Sequence, residues 1–172
     1  NDRMYDGDRY VRAVTDDGVR LGEKNQRCGQ LWLNSNSWAV LSGVAEEERG
    51  NACMDNVMKY LNSEVGLVKQ YPALQPDYPT KENPISWATP GIGENGGVFC
   101  HANTWAIMAY CMLNRGDDAY KVYSELLPDN IIGKVGVNRY ITEPYIYSSN
   151  VRALYAPRGG EAAVSWVTGT ST

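Results

Sequence analysis

Histidine, phenylalanine and cysteine are scarce: the 172 residues contain one, one and four of them, respectively. Cys28, Cys53, Cys100 and Cys111 form no Cys-X-X-Cys pair. With a single histidine, this pattern argues against a zinc or other metal site. Cys53, Cys100 and Cys111 have apolar neighbours, which predicts small buried thiols. Since no signal peptide is visible, we expect free thiols in a reducing, cytoplasmic compartment.

Long hydrophobic runs and an excess of positive charge are also lacking. No apolar stretch approaches the roughly 18–20 residues that a membrane-spanning helix needs, and the net charge is −4. Because nothing supplies a basic face to neutralise phosphates, we expect neither a nucleic-acid nor a membrane partner. An apolar content of 43% in 172 residues is typical of one folded domain with a sizeable core.

Tyrosine and tryptophan replace phenylalanine, since 12 Tyr and 5 Trp accompany the single Phe. Both side chains combine a flat apolar face with a polar group. A sugar offers the complementary C–H faces and hydroxyls. The composition therefore fits a carbohydrate site, and it fits equally well tyrosines that lie on ordinary surfaces and interfaces.

The first half of the chain predicts one hairpin and two helices. Residues 9–15, the turn Asp16-Asp17-Gly18 and residues 19–21 predict a β-hairpin. The run from Asn34 to Ser37 predicts a capped helix start before Trp38. Residues 46–61 predict a second helix whose first turn is acidic and whose apolar residues share one face.

A third helix follows a long segment without a clear element. Residues 62–100 are rich in proline, glycine, tyrosine and asparagine, and a loop of that length is often functional. Asn103 or Thr104 then predicts the cap of a helix that runs to residue 113. Its apolar side chains at helical spacing are Trp105, Met108 and Met112.

A fourth helix and a second long loop complete the pattern. Asp117 predicts the cap of a helix that stops at Pro128, residues 129–160 predict a loop, and Ser165 predicts a further N-cap. Helix pairs that alternate with long aromatic, glycine-rich loops favour an all-α fold with one β-hairpin. In such an α-hairpin array the loops form the working surface.

The run from Glu94 to Trp105 is the most informative for chemistry. Gly96 and Gly97 allow the backbone to approach a ligand closely, and the only histidine, His101, follows them. A lone histidine is often hydrogen-bonded within a core, and it can also bind a substrate. The sequence around the run leaves both interpretations open.

Two further runs carry candidate ligands. Residues 165–170, Ser-Trp-Val-Thr-Gly-Thr, place hydroxyls and a glycine near a predicted helix start, which suits an anion site or a simple N-cap. In Glu143-Pro144-Tyr145-Ile146-Tyr147 a carboxylate lies close to aromatic residues. That carboxylate could bind a sugar hydroxyl or brace a loop.

Taken in order, these runs resemble the inverting disaccharide phosphorylases of glycoside hydrolase family 94, which include cellobiose, cellodextrin, laminaribiose and chitobiose phosphorylases. The resemblance runs nearly end to end, and several long motifs in one order are highly specific. The matching runs are residues 5–13, 33–40, 94–105, 115–117, 143–145 and 165–170.

The resemblance implies phosphorolysis of a β-glucoside, with α-glucose 1-phosphate and a shortened acceptor as products. It implies an (α/α)6-barrel catalytic domain, of which residues 1–172 would be the C-terminal portion. The general acid of the family is an Asp in a Trp-Asn-Asp motif upstream of the hairpin. This chain has no such motif, so we expect no catalytic residue in it and no activity from it alone. Asp6 and Asp8 do not match that motif and are interpreted as structural.

The resemblance also implies binding residues. His101, Thr168 and Gly169 match the positions that bind phosphate. The sugar-binding positions are matched by Glu94, Glu143, Tyr145 and Ser149. Inorganic phosphate would be a co-substrate, no other cofactor is implied, and the full-length enzyme would be a homodimer acting on an oligosaccharide.

Three positions depart from the family pattern. Gly93 stands where a Lys is frequent, Ala88 where an aromatic residue is frequent, and Ser149 where a Gln is usual. The first two positions usually face the acceptor sugar, so we expect a longer or differently linked acceptor than glucose. A hydrolase or glucan-processing domain on the same barrel, and a non-catalytic carbohydrate-binding module, are the alternative functions.

Overall fold

A computed structural model describes residues 2–76 and 88–163 of the chain. A short 3₁₀ helix, Asp2–Met4, precedes the first strand. The α-helices of the described residues are α1 (Leu33–Leu41), α2 (Glu47–Leu61), α3 (Cys100–Met112), α4 (Gly116–Leu126), α5 (Pro128–Val135) and α6 (Val137–Tyr140). The strands are β1 (Ala13–Val14), β2 (Arg20–Leu21), β3 (Leu31–Trp32), β4 (Gln70–Tyr71), β5 (Val98–Phe99) and β6 (Asn150–Val151).

Helices α1 to α4 form two pairs, with α3 at the centre. Helix α1 packs against α2 and α3, and α3 also packs against α4. On α3, Ala102, Ala106 and Ala109 are buried and recur every three or four residues, so they lie on one face. Small side chains there let the neighbouring helices approach closely.

The strands form three antiparallel two-stranded sheets within the described residues, β1–β2, β3–β4 and β5–β6. The first is the predicted hairpin, which is confirmed with Ala13 opposite Leu21 and Val14 opposite Arg20. In the other two, the paired strands lie far apart in the sequence. The fold is therefore mainly helical with small sheets, which confirms the all-α prediction only in part, and residues 2–76 and 88–163 do not close a barrel.

Helix α1 begins at Leu33, so the prediction of a capped start before Trp38 is wrong. The N–H of Leu33 donates to the carbonyl of Lys69 at 2.8 Å. A backbone carbonyl from another segment thus satisfies the first helical donor, and a capping side chain is not needed. Asn36 and Ser37 are buried inside the helix instead, and Ser37 Oγ donates to the Leu33 carbonyl at 2.9 Å.

Helix α3 also begins earlier than predicted. It starts at Cys100, whose N–H donates to the carbonyl of Ser149 at 3.1 Å, and Asn103 is buried within it. The prediction of a cap at Asn103 or Thr104, which would place His101 before the helix, is therefore wrong, because His101 is the second helical residue. As in α1, the helix start is set by a distant carbonyl.

The remaining helix predictions have mixed outcomes. Helix α2 is confirmed to within one residue, and α4 begins at Gly116, one residue before the predicted cap. The prediction of a loop over residues 129–160 is wrong, since α5 and α6 occupy its first part. Pro128 ends α4 but also starts α5, because the first turn of a helix needs no proline N–H.

The predicted apolar stripe of α3 is not its buried face. Met108 and Met112 are more than half exposed, and Trp105 is partly buried against the core. The core side of α3 consists instead of the alanines and Tyr110, which is fully buried. Helical spacing therefore identified residues that share one face of α3. That face is largely exposed, and the alanine-rich face is the buried one.

The cysteines are all free, and three of the four are buried as small hydrophobes. Burial raises the pKa of Cys53 and of Cys100 to about 12. The prediction that Cys111 is buried is wrong, since it is exposed on α3. Among the described residues, no group of three or more His, Cys, Asp or Glu side chains could hold a metal ion. In the same residues no helix is long and apolar enough to cross a bilayer.

Candidate functional site

The helices α1 and α3 begin side by side, and this end of the fold carries the candidate site. The carbonyl of Lys69 accepts from Leu33 at the start of α1, while the N–H of Lys69 donates to the carbonyl of Gly97 at 3.0 Å, just before α3. Lys69 therefore joins the two helix starts through its backbone. Since helix N-termini carry partial positive charge, this end favours an anion.

His101 lies in the first turn of α3 and is partly exposed. Its ring meets Trp105 edge to face, with 4.7 Å between the ring centroids. Within the described residues, no hydrogen bond or ion pair engages the imidazole. The contact with Trp105 orients the ring and leaves its nitrogens free for a ligand, which favours the binding interpretation of His101 over the core interpretation.

Glu94 is exposed and lies next to a lysine from another segment. The Lys69 ammonium forms an ion pair with a Glu94 carboxylate oxygen, and only 17% of the Lys69 side chain is exposed. The same ammonium lies 4.9 Å from the centre of the Phe99 ring, two residues before His101. Lys69 thus connects Glu94 to the start of α3.

The turn that carries Glu94 is held by buried amides. Asn95 is fully buried; its oxygen accepts from the Leu74 N–H at 2.7 Å and its nitrogen donates to the Leu74 and Ala88 carbonyls at 3.0 and 2.8 Å. Gln70 donates to the Glu94 carbonyl at 2.9 Å. A side chain at Gly97 would lie 2.6 Å from the Gly93 carbonyl oxygen, so this tight turn requires glycine there.

Ser149 is buried beside the start of α3. Its carbonyl accepts from Cys100, and its hydroxyl accepts from Asn150 Nδ2 at 3.2 Å. The structure therefore brings Ser149 to the same helix start as His101. Within the described residues, these two hydrogen bonds give Ser149 a structural role.

Glu143 and Tyr145 lie on an exposed turn. The N–H of Ile146 donates to the Glu143 carbonyl at 3.1 Å, and the Tyr145 side chain is 79% exposed. Across the described residues, no hydrogen bond or ion pair joins either side chain to His101 or Glu94. Thr168 and Gly169, the other two predicted phosphate-binding residues, and the predicted cap Ser165 lie outside the described residues.

Asp6 and Asp8, which the sequence analysis interprets as structural, both have partners in the structure. Asp6 accepts from the Lys24 N–H at 2.9 Å, and Asp8 forms an ion pair with Arg9 at 2.7 Å. Burial acts to raise the pKa of Asp8, but the hydrogen bond and charge of Arg9 outweigh it, so the net shift is downward. A carboxyl group of lowered pKa is ionised at neutral pH and is poorly suited to act as an acid.

An aromatic cleft of about 620 Å³ has in its wall Trp105, the residue that the His101 ring contacts. Trp38 and Trp105 form part of its wall, with ring centroids 5.4 Å apart, and Arg12 and Asn34 line it as well. The side-chain oxygen of Asn34 is buried and has no hydrogen-bond partner in the described part of the chain. An aromatic wall with an unsatisfied acceptor is chemically suited to a sugar.

Sequence reasoning missed Lys69 and the cleft residues Asn34 and Arg12. Lys69 lies 25 residues before Glu94, in a predicted loop, and no local pattern distinguishes it from other lysines. Asn34 was interpreted only as part of a helix start. An unusual Trp content was the one signal that pointed toward the aromatic wall.

Comparisons with known proteins match this chain along its whole length. A family model described as the catalytic domain of the glycosyl hydrolase 94 superfamily matches residues 1–172. A solabiose phosphorylase of Paenibacillus borealis is 36% identical over 171 residues, which cover 99% of this chain and 22% of that protein. An N,N'-diacetylchitobiose phosphorylase of Vibrio proteolyticus is 37% identical over 169 residues, covering 96% of this chain and 20% of that protein.

A relative with a different named activity is also similar. A cyclic beta-(1,2)-glucan synthase of Rhizobium meliloti is 33% identical over 175 residues, covering 97% of this chain and 6% of that protein. The chain spans about a fifth of the length of the two phosphorylases.

Proposed function

The chain belongs to the glycosyl hydrolase 94 superfamily, and from this premise we propose that it is the C-terminal portion of the catalytic domain of an inverting phosphorylase. The enzyme would cleave a β-glucoside, such as cellobiose or a cellodextrin, with inorganic phosphate. Its products would be α-glucose 1-phosphate and a shortened acceptor. The relatives named as phosphorylases support phosphorolysis, and their different sugars leave the acceptor to experiment.

The observation that carries this proposal is the placement of His101. Its imidazole lies in the first turn of α3 and is oriented by Trp105, and among the described residues it has no hydrogen-bond or ion-pair partner. The positive ends of α1 and α3 lie together there. A phosphate dianion would gain both the helix dipoles and an N–H donor from the imidazole.

Phosphorolysis requires a phosphate site from this chain but no general base. An inverting glycosidase uses one carboxyl group to protonate the leaving oxygen and one carboxylate to activate water. In phosphorolysis a phosphate oxygen attacks the anomeric carbon directly, the glycosidic C–O bond breaks, and the departing oxygen takes a proton from the general acid. A cradle for phosphate therefore replaces the base, and we assign the cradle to His101 with Thr168 and Gly169.

The sugar would lie next to the phosphate cradle, on the side of Glu94 and Lys69. Glu94 and Lys69 offer an acceptor and a donor for hydroxyl groups. Ser149 adjoins the same helix start, and Glu143 and Tyr145 would contact the sugar from their exposed turn. We place the general acid outside this chain, in an (α/α)6 barrel of which α1 to α4 would be part, and we infer a cytoplasmic homodimer.

A second function deserves a direct test because of the glucan synthase relative. A glucan-processing or hydrolytic enzyme on the same scaffold would transfer the sugar to water or to another hydroxyl. It would need no phosphate. A phosphate cradle around His101 would then have no purpose.

The test is phosphate dependence of the full-length enzyme that carries this chain. We expect release of glucose 1-phosphate only with phosphate, and His101→Ala should raise the phosphate KM by about ten- to a hundredfold, because a hydrogen bond to a charged group contributes roughly 1.5–3 kcal/mol. The sugar KM should change much less. Lys121→Ala, at an exposed position of α4, is the control and should leave both constants unchanged.

Two results would contradict the proposal. Cleavage that proceeds equally well without phosphate would favour the hydrolase or the glucan-processing enzyme. An unchanged phosphate KM in His101→Ala, with a raised sugar KM, would make His101 a sugar ligand.

A further inference from the structure

Strand β6 lies between two other segments of the chain. On one edge it pairs with β5, with Val98 opposite Val151 and Phe99 opposite Asn150. On its other edge Val151 forms an isolated antiparallel bridge with Ala162. Because both neighbours run antiparallel to β6, they run parallel to each other. The chain therefore leaves both of them in the same direction.

The first neighbour of β6 leads directly to His101. The pairing of β5 with β6 continues for one more residue, because the Cys100 N–H donates to the Ser149 carbonyl at 3.1 Å. His101 is the next residue in the chain. Through this hydrogen bond, β6 sets the position of the backbone directly before the imidazole.

The second neighbour of β6 leads toward the other part of the proposed phosphate cradle. The Arg152 N–H donates to the Glu161 carbonyl at 2.9 Å, and the Ala163 N–H donates to the Asn150 carbonyl at 2.8 Å. Thr168, which we assign to the cradle, follows Ala163 by five residues in the sequence and lies outside the described part of the chain. Strand β6 therefore holds both the segment that precedes α3 and the segment that precedes Thr168.

The Ser148 side chain adds a link between β6 and the second segment. Ser148 is only 1% exposed. Its hydroxyl lies 2.7 Å from the Asn150 carbonyl oxygen and 3.1 Å from the Ala163 carbonyl oxygen. A hydroxyl has one proton, so it donates to one of these carbonyls at a time. From this buried position, Ser148 connects the strand to the segment that precedes Thr168.

We propose that Ser148 is a positioning residue for phosphate, which acts through β6 to hold His101 and Thr168 at a fixed separation. This inference rests on the proposed function. A phosphate ion can accept from both sides of the cradle only if their donors are correctly spaced, because a hydrogen bond weakens steeply when its geometry is wrong. Glu94 is held instead by Gln70, so a sugar bound there should depend much less on Ser148.

The experiment measures the phosphate and sugar KM of Ser148→Ala in the full-length enzyme. We expect the phosphate KM to rise about fivefold, which corresponds to one lost hydrogen bond, while the oligosaccharide KM stays within about twofold of wild type. Ser148→Cys keeps a side chain of similar size but is a weaker donor, so it should raise the phosphate KM by less. This variant serves as the test if the alanine variant does not fold.

Tyr110→Phe is the matched control for lost stability. Tyr110 is fully buried on the same helix as His101, and its hydroxyl donates to the Met54 carbonyl at 2.9 Å. The phenylalanine variant therefore also removes one buried hydroxyl from a backbone carbonyl, and it should leave both KM values unchanged. Thermal denaturation shows whether the two variants lose comparable stability.

Double-mutant cycles test whether Ser148 acts on both sides of the cradle. Once one side is removed, its separation from the other no longer matters. Ser148→Ala should therefore raise the phosphate KM by less in His101→Ala and in Thr168→Ala than it does in the wild type.

Three outcomes would overturn this inference while the proposed function stands. The first is an unchanged phosphate KM in the Ser148 variants of an enzyme that requires phosphate. The second is an equal rise of both KM values, or a rise that Tyr110→Phe reproduces, since either would make Ser148 important for stability alone. The third is additivity with His101→Ala or with Thr168→Ala. Cleavage that does not require phosphate would instead overturn the proposed function, and this inference with it.

Discussion

Lys69 gives the candidate site a positive charge that no sequence neighbour of Glu94 supplies. The residue directly before Glu94 is Gly93, with φ +52°, a backbone conformation that favours glycine. The ammonium arrives instead from the segment between α2 and α3 and pairs with the carboxylate. The family pattern frequently has a lysine directly before this glutamate. In this chain the positive charge next to Glu94 comes instead from Lys69, which is distant in the sequence.

Removing that ammonium should weaken the sugar and not the phosphate. In the full-length enzyme we expect Lys69→Met to raise the oligosaccharide KM about tenfold, since a charge-assisted hydrogen bond is lost and Glu94 loses its partner. The phosphate KM should stay within about twofold of wild type. Steady-state kinetics with each substrate varied in turn measure both constants.

A double-mutant cycle tests whether the two residues act together. Because the pair is in contact, Lys69→Met and Glu94→Gln should be non-additive in oligosaccharide kcat/KM. Lys121→Met, at an exposed position of α4, serves as the control lysine. Additive effects, or a larger effect on phosphate than on sugar, would show that Lys69 does not act through Glu94.

At the scale of elements, Asn103 connects α3 to the chain before it. The side chain is fully buried; its oxygen accepts from the Leu67 N–H at 2.7 Å, and its nitrogen donates to the carbonyls of Leu67 at 3.0 Å and Phe99 at 2.8 Å. It therefore completes the hydrogen bonding of a buried backbone segment as a neighbouring strand would. Lys69 lies two residues further along that segment.

Asn103→Ala should loosen this segment and lower stability. Truncation leaves the buried N–H and C=O of Leu67 unpaired, which costs about 2–4 kcal/mol. We expect a lower denaturant midpoint and faster hydrogen exchange over residues 65–70, measured by mass spectrometry on the full-length protein. Asn130→Ala, which removes one exposed bond to the Ser124 carbonyl, should cost less than about 0.5 kcal/mol. Equal effects of the two variants would contradict this role.

Helix α4 contributes a carboxylate whose burial should make stability depend on pH. Burial raises the pKa of Glu125, although Asn62 Nδ2 opposes this by donating to its oxygen at 2.6 Å. A raised folded pKa means that the ionised form opposes folding above that pKa. The penalty disappears as the pH falls through the folded pKa toward the unfolded value of about 4.3.

Glu125→Gln should therefore raise the thermal midpoint at pH 7, with a gain that shrinks as the pH approaches about 4.5. The amide keeps an acceptor for Asn62. Glu48→Gln is the contrasting control, because Glu48 is exposed in the first turn of α2, where a negative charge favours the helix. Thermal scans across the pH range measure both variants, and a gain for Glu125→Gln that is independent of pH would argue against the burial penalty.

On the scale of the whole molecule, the two helix pairs leave a large apolar surface uncovered. Met108 and Met112 are 56% and 57% exposed, and they lie one turn apart on α3, which begins at the candidate site. Exposed apolar groups of this size are uncommon when grouped. The surface is consistent with helices beyond this chain packing here in the proposed barrel.

The isolated chain should accordingly be inactive. It would lack the proposed general acid, a group that typically contributes about 10²–10⁴-fold in rate. Purified residues 1–172 should release no glucose 1-phosphate from cellobiose, laminaribiose or cellodextrins under conditions where the full-length enzyme does. Measurable phosphorolysis by the isolated chain would place a sufficient catalytic set within these residues.

The sequence by itself determined the family, the hairpin and α2, together with the glycine-rich turn before α3. These features depend on local chemistry. The turn Asp16-Asp17-Gly18, the acidic first turn of α2 and the glycines around Glu94 act through residues that are close in the chain. The order of motifs identified the family, and with it the candidates His101 and Glu94.

Only the tertiary structure decided where α1 and α3 begin, which face of α3 is buried, and that Lys69 lies beside Glu94. Distant backbone carbonyls, those of Lys69 and Ser149, accept from the first residues of the two helices, and no local pattern reports a partner that far along the chain. The buried face of α3 depends in the same way on where its neighbours lie. Local propensity selects the elements, and contacts between distant segments set their ends, their faces and the site between them.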